Sequence, residues 1–197
     1  MGTFSATANS SSTIGYAQYG SSSWSTGSSS GACQGAYQGT TAAKSRVGVM
    51  VFSGAGAALK GKLIQSITLT ITSSGAGSGS SSKKLTFCQA NYQSLNTGVR
   101  GSAQVGATLG VLTGKFYSNT VTHTLNASTN AALFAAMKAY FEAGNSVLVL
   151  YNGETSSSSG YSSNYARVTS CTLTVTYIDA VVWYRDGGTW RQCTVWY

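Results

Sequence analysis

The chain has 197 residues, with 12 Lys and Arg against 4 Asp and Glu, a formal net charge of +8, no Pro, and only 8% charged residues. A chain of this length fills one domain, or one domain with a small appendage, and no apolar run in it approaches the roughly 20 residues that span a bilayer. The positive balance is a shortage of acids: the close basic pairs Lys44/Arg46, Lys60/Lys62 and Lys83/Lys84 are too scattered for the one-faced patch that grips phosphate backbones, so nucleic acid is not an expected partner.

The first residues, Met1-Gly2-Thr3-Phe4-Ser5, carry neither a basic nor an apolar leader segment, which predicts no secretory signal. Residues 21–31 form a Gly/Ser run interrupted by Trp24 and read as an exposed loop, because such a composition buries too little apolar area to offset its ordering entropy. Residues 47–52 read as a strand apolar on both faces. Residues 67–72 alternate, with Ile67, Leu69 and Ile71 inward and the threonines outward. A second Gly/Ser loop covers 73–82. Weaker strand signals follow at 84–89, 111–117 and 120–125, the last placing His123 on the inward face with Val121 and Leu125.

Residues 131–143 break the period-two pattern. Leu133, Met137, Tyr140 and Phe141 recur at helical spacing, Ser128 or Thr129 can cap the start and Gly144 can close the end. A single helix in an all-β chain is expected to plug one open end of the fold. Residues 146–151 read as a central buried strand, 155–163 as a third loop followed closely by Tyr165, and 171–177 as a second cleanly alternating strand. Together these predict an all-β antiparallel β-sandwich of jelly-roll type over residues 1–178, with one short helix at about 129–143.

Residues 179–197 differ in composition and are expected to form an aromatic β-hairpin appendage. Val182-Trp183-Tyr184 returns as Val195-Trp196-Tyr197, and Asp186-Gly187-Gly188 between aromatic runs is a turn signal. An isolated hairpin is marginal in water, so Trp183, Tyr184, Trp190, Trp196 and Tyr197 are candidate assembly-interface residues and the protein is an expected homo-oligomer.

Chemistry has little to work with. The acids are Glu142, Glu154, Asp179 and Asp186, of which only Glu154 is placed to meet His123 as a hydrolytic pair; no catalytic residue is assigned and the protein is expected not to be an enzyme. Cys33, Cys88, Cys171 and Cys193 lack zinc-site spacing and no acidic calcium loop is present, so no metal or cofactor is expected and the thiols are read as reduced. What remains is a hydroxyl-rich surface with aromatics in its loops. Trp24, Tyr161 and Tyr165, then Trp190 and Trp196, are candidate glycan-binding residues; for the loop aromatics the competing reading is that each pins its own loop to the sandwich.

The order of segments 45–52, 64–71, the helix ending Ala143-Gly144-Asn145, 147–150 and 173–177 resembles the DNRLRE-type jelly-roll domains related to carbohydrate-binding modules, over about residues 3–178. The sequence departs from that family after the first long strand, where Phe52 is followed by Ser53-Gly54 in place of an acidic residue. The run from Trp183 to Cys193 is similar to the aromatic Gly-Gly-x-Trp repeats that end tail and fibre proteins of bacteriophages. These resemblances imply a non-enzymatic structural or adhesive virion protein of tail, fibre or capsid-accessory type, made in the host cytoplasm. Its implied partners are other virion proteins and host cell-surface glycan, with no membrane insertion. The alternative they imply is a carbohydrate-binding module of a larger polysaccharide-active system.

Overall fold

Alternating side chains produce two antiparallel sheets that share one apolar interior. The computed structural model describes residues 1–10, 12–27, 30–75, 82–179 and 181–194; the side chains of 181–184, 190, 192 and 194 lie outside that description. The first sheet runs in the order β1 (Gly2–Ala8), β11 (Ala166–Asp179), β6 (Lys62–Ser74) and β9 (Thr120–Leu125), with β4 (Ala32–Gln34) pairing with the start of β11. The second runs β3 (Trp24–Thr26), β2 (Ile14–Gln18), β5 (Arg46–Val51), β10 (Val147–Leu150), β7 (Lys83–Ala90) and β8 (Val105–Gly114). The expected antiparallel β-sandwich is therefore the fold. Short helices α1 (Ala55–Leu59) and α2 (Gly101–Gln104) and a 3-10 turn at Ala42–Lys44 lie in the connections, and α3 (Ala131–Glu142) is the expected helix.

Ile67, Leu69, Ile71, Leu173 and Val175 from the first sheet meet Ile14, Met50, Leu85, Phe87, Leu148 and Leu150 from the second, all buried. Each such side chain contributes on the order of 1.5–3 kcal/mol by leaving water. Helix α3 adds Leu133, Phe134, Met137, Tyr140 and Phe141 to the same interior. Its cap differs from expectation: Asn130 in the left-handed region precedes the helix without a side-chain cap bond, while Asn126 Oδ1 accepts the backbone N–H groups of Ser128 and Thr129, 2.8 Å each. Strands β5 and β10 are apolar on both faces because the second sheet has a further apolar layer on its outside, where Val47, Val49, Val147 and Val149 meet Leu95, Val105, Trp24 and Tyr151.

The outer face of the first sheet is a hydroxyl array. Ser5 meets Thr174 at 3.2 Å, Thr7 meets Thr172 at 2.8 Å, and Thr68, Thr70 and Thr72 meet Thr124, Thr122 and Thr120 at 3.1, 3.2 and 3.0 Å. The register of β11 on β6 sets Thr172 opposite Thr70 and Thr174 opposite Thr68, so the hydroxyls form ranks across four strands.

The strands β1, β2, β3 and β4 arise where no strand was expected, β3 within the Ser-rich run, and β8 begins earlier than the expected 111–117 and ends before Phe116 and Tyr117. The C-terminal hairpin forms as expected: β12 (Val181–Asp186) pairs with β13 (Thr189–Thr194) and, among the described residues, with neither sheet, and Gly187 and Gly188 both take positive φ, 55° and 91°, as a two-residue turn of matching twist requires.

At one end the chain changes sheets. Ala32–Gln34 pairs with Val168–Ala166 of the first sheet, Gly35 then bridges Arg46 at the start of β5, and Tyr37 bridges Tyr161. This brings the backbone of β4 directly against β5 at Gly48, where a Cβ would stand 2.6 Å from the amide nitrogen of Cys33. Gly48→Ala is expected to lower the unfolding free energy by about 1–3 kcal/mol, since backbone cannot yield as a flexible side chain does. Gly160→Ala, whose Cβ meets nothing nearer than 3.6 Å, is the matched comparison in urea denaturation and should leave stability almost unchanged.

Candidate functional site

The sheet crossing is held by one buried amide. Gln34 is fully buried; its Nε2 donates to the carbonyls of Lys84 (2.5 Å) and Asn164 (2.9 Å), and its Oε1 accepts the backbone N–H of Thr86 at 2.9 Å. Ser162 Oγ accepts the N–H of Ala36, and Ser162 N–H donates to the Ala36 carbonyl. Gln38 N–H donates to the Gly160 carbonyl and Ser156 N–H to that of Gly39. The segment 34–39 and the loop 154–165 are thus laced together along their lengths. Asn164 fastens the far side: Glu154 accepts its backbone N–H at 2.9 Å and its side-chain amide at 2.5 Å.

Three tyrosines cluster on this frame, their rings tilted against one another by 31° and 55°. Tyr165, 6% exposed, forms the floor, with its hydroxyl donating to Cys33 Sγ at 3.8 Å. Tyr161 lies over it with ring centroids 4.6 Å apart, and Tyr37 lies against Tyr161 at 4.3 Å, tilted by 31°. Tyr161 and Tyr37 are 42% and 37% exposed. The result is an exposed aromatic pair whose position is set by hydrogen-bonded backbone on both sides. Burial raises the Tyr165 hydroxyl far above its ordinary range and pushes the Cys33 thiol up to about 11, so both stay protonated and the floor carries no charge.

Of the residues singled out in the sequence, Tyr161 is part of an exposed pair, and Tyr165 supports it from below. Trp24 is half-buried against Val47, Val49 and their neighbours, and its indole N–H donates to the Val99 carbonyl at 2.8 Å, which pins its own strand. Trp190, Trp183 and Tyr184 have their backbones in the hairpin, with side chains outside the described residues; Trp196 and Tyr197 lie outside them entirely. Tyr37 was not anticipated. Its signal is an aromatic between Gly35 and Gly39, which becomes meaningful only once that segment is known to face residues 156–162.

His123 and Glu154 have no partner in common. His123 sits on the inward face of β9 beside Phe116, 5.8 Å between ring centroids, and its buried Nε2 has no hydrogen-bond partner among the described residues. Glu154 is engaged by Asn164 and Ser163. Among the described residues no three His, Cys, Asp or Glu side chains gather as metal ligands. Lys83 is buried with its Nζ donating to the Ser163 carbonyl; burial lowers its pKa, partly offset by the Glu154 carboxylate.

A polar cleft of about 370 Å³ opens beside the 3-10 turn, lined by Gln18, Ser21, Ser22, Lys44 and Arg100 among others. Its walls are joined by backbone: Gly20 N–H donates to the Ala43 carbonyl and Gly101 N–H to that of Ser21, 2.9 Å each.

The chain matches no protein-family model, no curated protein and no solved structure.

Burial lowers the pKa of His123 from its ordinary 6.5. The unfolded chain therefore takes up a proton near pH 6.5 that the folded chain refuses until lower pH, so folding stability falls as pH drops through this window. His123→Leu keeps the apolar contact and removes the effect. In urea denaturation at about pH 8 and about pH 5, the wild type is expected to lose more stability between the two than the variant does.

Proposed function

We propose that the protein is a non-enzymatic adhesive or structural component of a bacteriophage virion, and that it holds host-surface glycan on the exposed pair Tyr37 and Tyr161. The observation that carries this reading is the cluster of Tyr37 and Tyr161 over buried Tyr165, with backbone hydrogen bonds joining the two separate segments that carry them. A sugar ring presents an apolar face bordered by hydroxyls, and an aromatic surface held rigid meets that face at little entropic cost. The segments 38–40 and 154–164, bonded to each other through Gln38 to Gly160 and Ser156 to Gly39, are rich in hydroxyls and amides that suit the ring's polar edge. The resemblance of the order of sequence segments to DNRLRE-type and carbohydrate-binding domains, and of 183–193 to phage tail and fibre repeats, supports this reading, as does the hairpin, which pairs with neither sheet among the described residues. The same tyrosine pair would serve a carbohydrate-binding module of a larger polysaccharide-active system equally well; the hairpin, which pairs with neither sheet among the described residues, favours the reading in which the sandwich is joined to copies of itself or to other virion proteins.

On a glycan array followed by fluorescence titration, Tyr37→Ala and Tyr161→Ala are each expected to weaken binding at least about tenfold while leaving the thermal midpoint nearly unchanged, as for exposed anchor residues. Binding that survives both substitutions would remove the tyrosine pair from the site. Truncation after Asp179 should leave the melting temperature within about 4 °C of the full chain, roughly 1 kcal/mol, and lower the solution mass to that of a monomer. A truncated chain that keeps its oligomeric mass would assign assembly to the sandwich.

A further inference from the structure

We propose that the glycan on Tyr37 and Tyr161 is anionic, and that its carboxylate or phosphate group enters the cleft between Lys44 and Arg100. This rests on the reading of the tyrosine pair given above. Both cations are exposed on the walls of the cleft, one on the 3-10 turn and one before α2, and Gln18, Ser21 and Ser22 line the space between them. No acid lines it. The four carboxylates of the chain are all engaged elsewhere: Glu142 with Lys138, Glu154 with Asn164, Asp179 with Lys62, and Asp186 with Arg191 at 3.1 Å. Lys44 and Arg100 take part in no ion pair among the described residues.

The segment that carries Tyr37 touches one wall of the cleft. Tyr37 leads through Gln38 to Gly39, and Gly39 lies so close to Lys44 that a Cβ on it would stand 2.6 Å from the Lys44 Cβ. The wall carrying Lys44 is thus in direct contact with the segment carrying Tyr37. The backbone bonds from Gly20 to Ala43 and from Gly101 to Ser21 hold the opposite wall in place. An anion that meets two cations across a preformed cleft makes charge-assisted hydrogen bonds, shorter and stronger than those between neutral groups, and Arg100 adds a planar fork suited to carboxylate or phosphate. A neutral chain of the same length gains only the stacking.

The full-length protein is titrated at low salt with four probes of matched length: an oligogalacturonate, a phosphorylated malto-oligosaccharide, a neutral malto-oligosaccharide and a single-stranded oligonucleotide. At least one of the two anionic hydroxylated probes should bind at least about tenfold more tightly than the neutral one, and the preference should shrink as salt rises past the range where the screening length falls below about 10 Å. Which of the two binds identifies the source of the anionic group. Lys44→Ala with Arg100→Ala should abolish the preference and keep neutral-sugar binding, and Lys44→Glu, which leaves the cleft without net charge, should likewise abolish it; Tyr37→Ala with Tyr161→Ala should abolish both. Equal affinity for neutral and anionic sugars would overturn the anionic assignment while leaving the tyrosine site intact. No binding of any sugar would overturn both. Oligonucleotide binding that matches the anionic sugars and survives loss of the tyrosines would overturn the assignment by showing a general attraction to polyanions.

Discussion

The amide of Gln34 is the contact on which the arrangement at this end of the molecule depends. A strand that leaves one sheet for the other strands backbone groups between two hydrogen-bond ladders, and in a dry interior each unpaired group costs about 1–3 kcal/mol. Gln34 meets three of them at once, two carbonyls and one N–H, and spends its own donors and acceptor in doing so. Because the crossing is satisfied, Gly35 can reach β5 and Tyr37 can reach Tyr161. The exposed tyrosine pair is a direct product of how the sandwich closes. Gly48 serves the same closure from the other side, by leaving room for the backbone of β4.

Scarcity of charge shapes the rest. With four carboxylates in the chain, each cation that finds one leaves fewer for the others, and the ion pairs lie at the end of β11, along α3 and in the hairpin. Buried polar groups are managed by neutral means instead, through Gln34, Ser162 and Asn164. Arg46 illustrates the same economy: its guanidinium lies 4.6 Å above the ring of Tyr16, and its buried Nε has no hydrogen-bond partner among the described residues. The cations of the polar cleft are left over from this distribution.

Strong alternation made much of the fold legible. β6 and β11 carry Ile, Leu or Val on one face and mostly Thr on the other, β9 gives the same signal more weakly because His123 shares its inward face, and the helix at 131–142 carries a plain apolar stripe. β1 escaped because its inward residues are Phe4, Ala6 and Ala8, where small side chains give a weak period-two signal and the pairing with β11 does the work. β3 and β4 are three residues each, too short for any period to register, and β3 lies in a composition that ordinarily means loop. The early start of β8 follows from irregular pairing with β7 around Cys88, where the register shifts twice. Of the site, Tyr161 and Tyr165 stood out as aromatics in or beside a hydroxyl-rich loop. Tyr37 did not, since its importance comes from a partner far along the chain, and no local pattern encodes a crossing between sheets.

The paired hydroxyls on the outside of the first sheet have a property that a charged face lacks. In each pair either oxygen can donate, and the two settings differ only in where one hydrogen lies. The ranks of threonine therefore have no fixed sequence of donors and acceptors. A neighbouring layer of hydroxyls or ordered water can impose its own pattern on them by turning protons, with no heavy atom displaced and no side-chain entropy lost beyond what the β-branched rotamers have already given up. Neither salt nor pH enters that adjustment, so this face keeps one hydrogen-bonding character across conditions that would alter a surface built from lysine and glutamate.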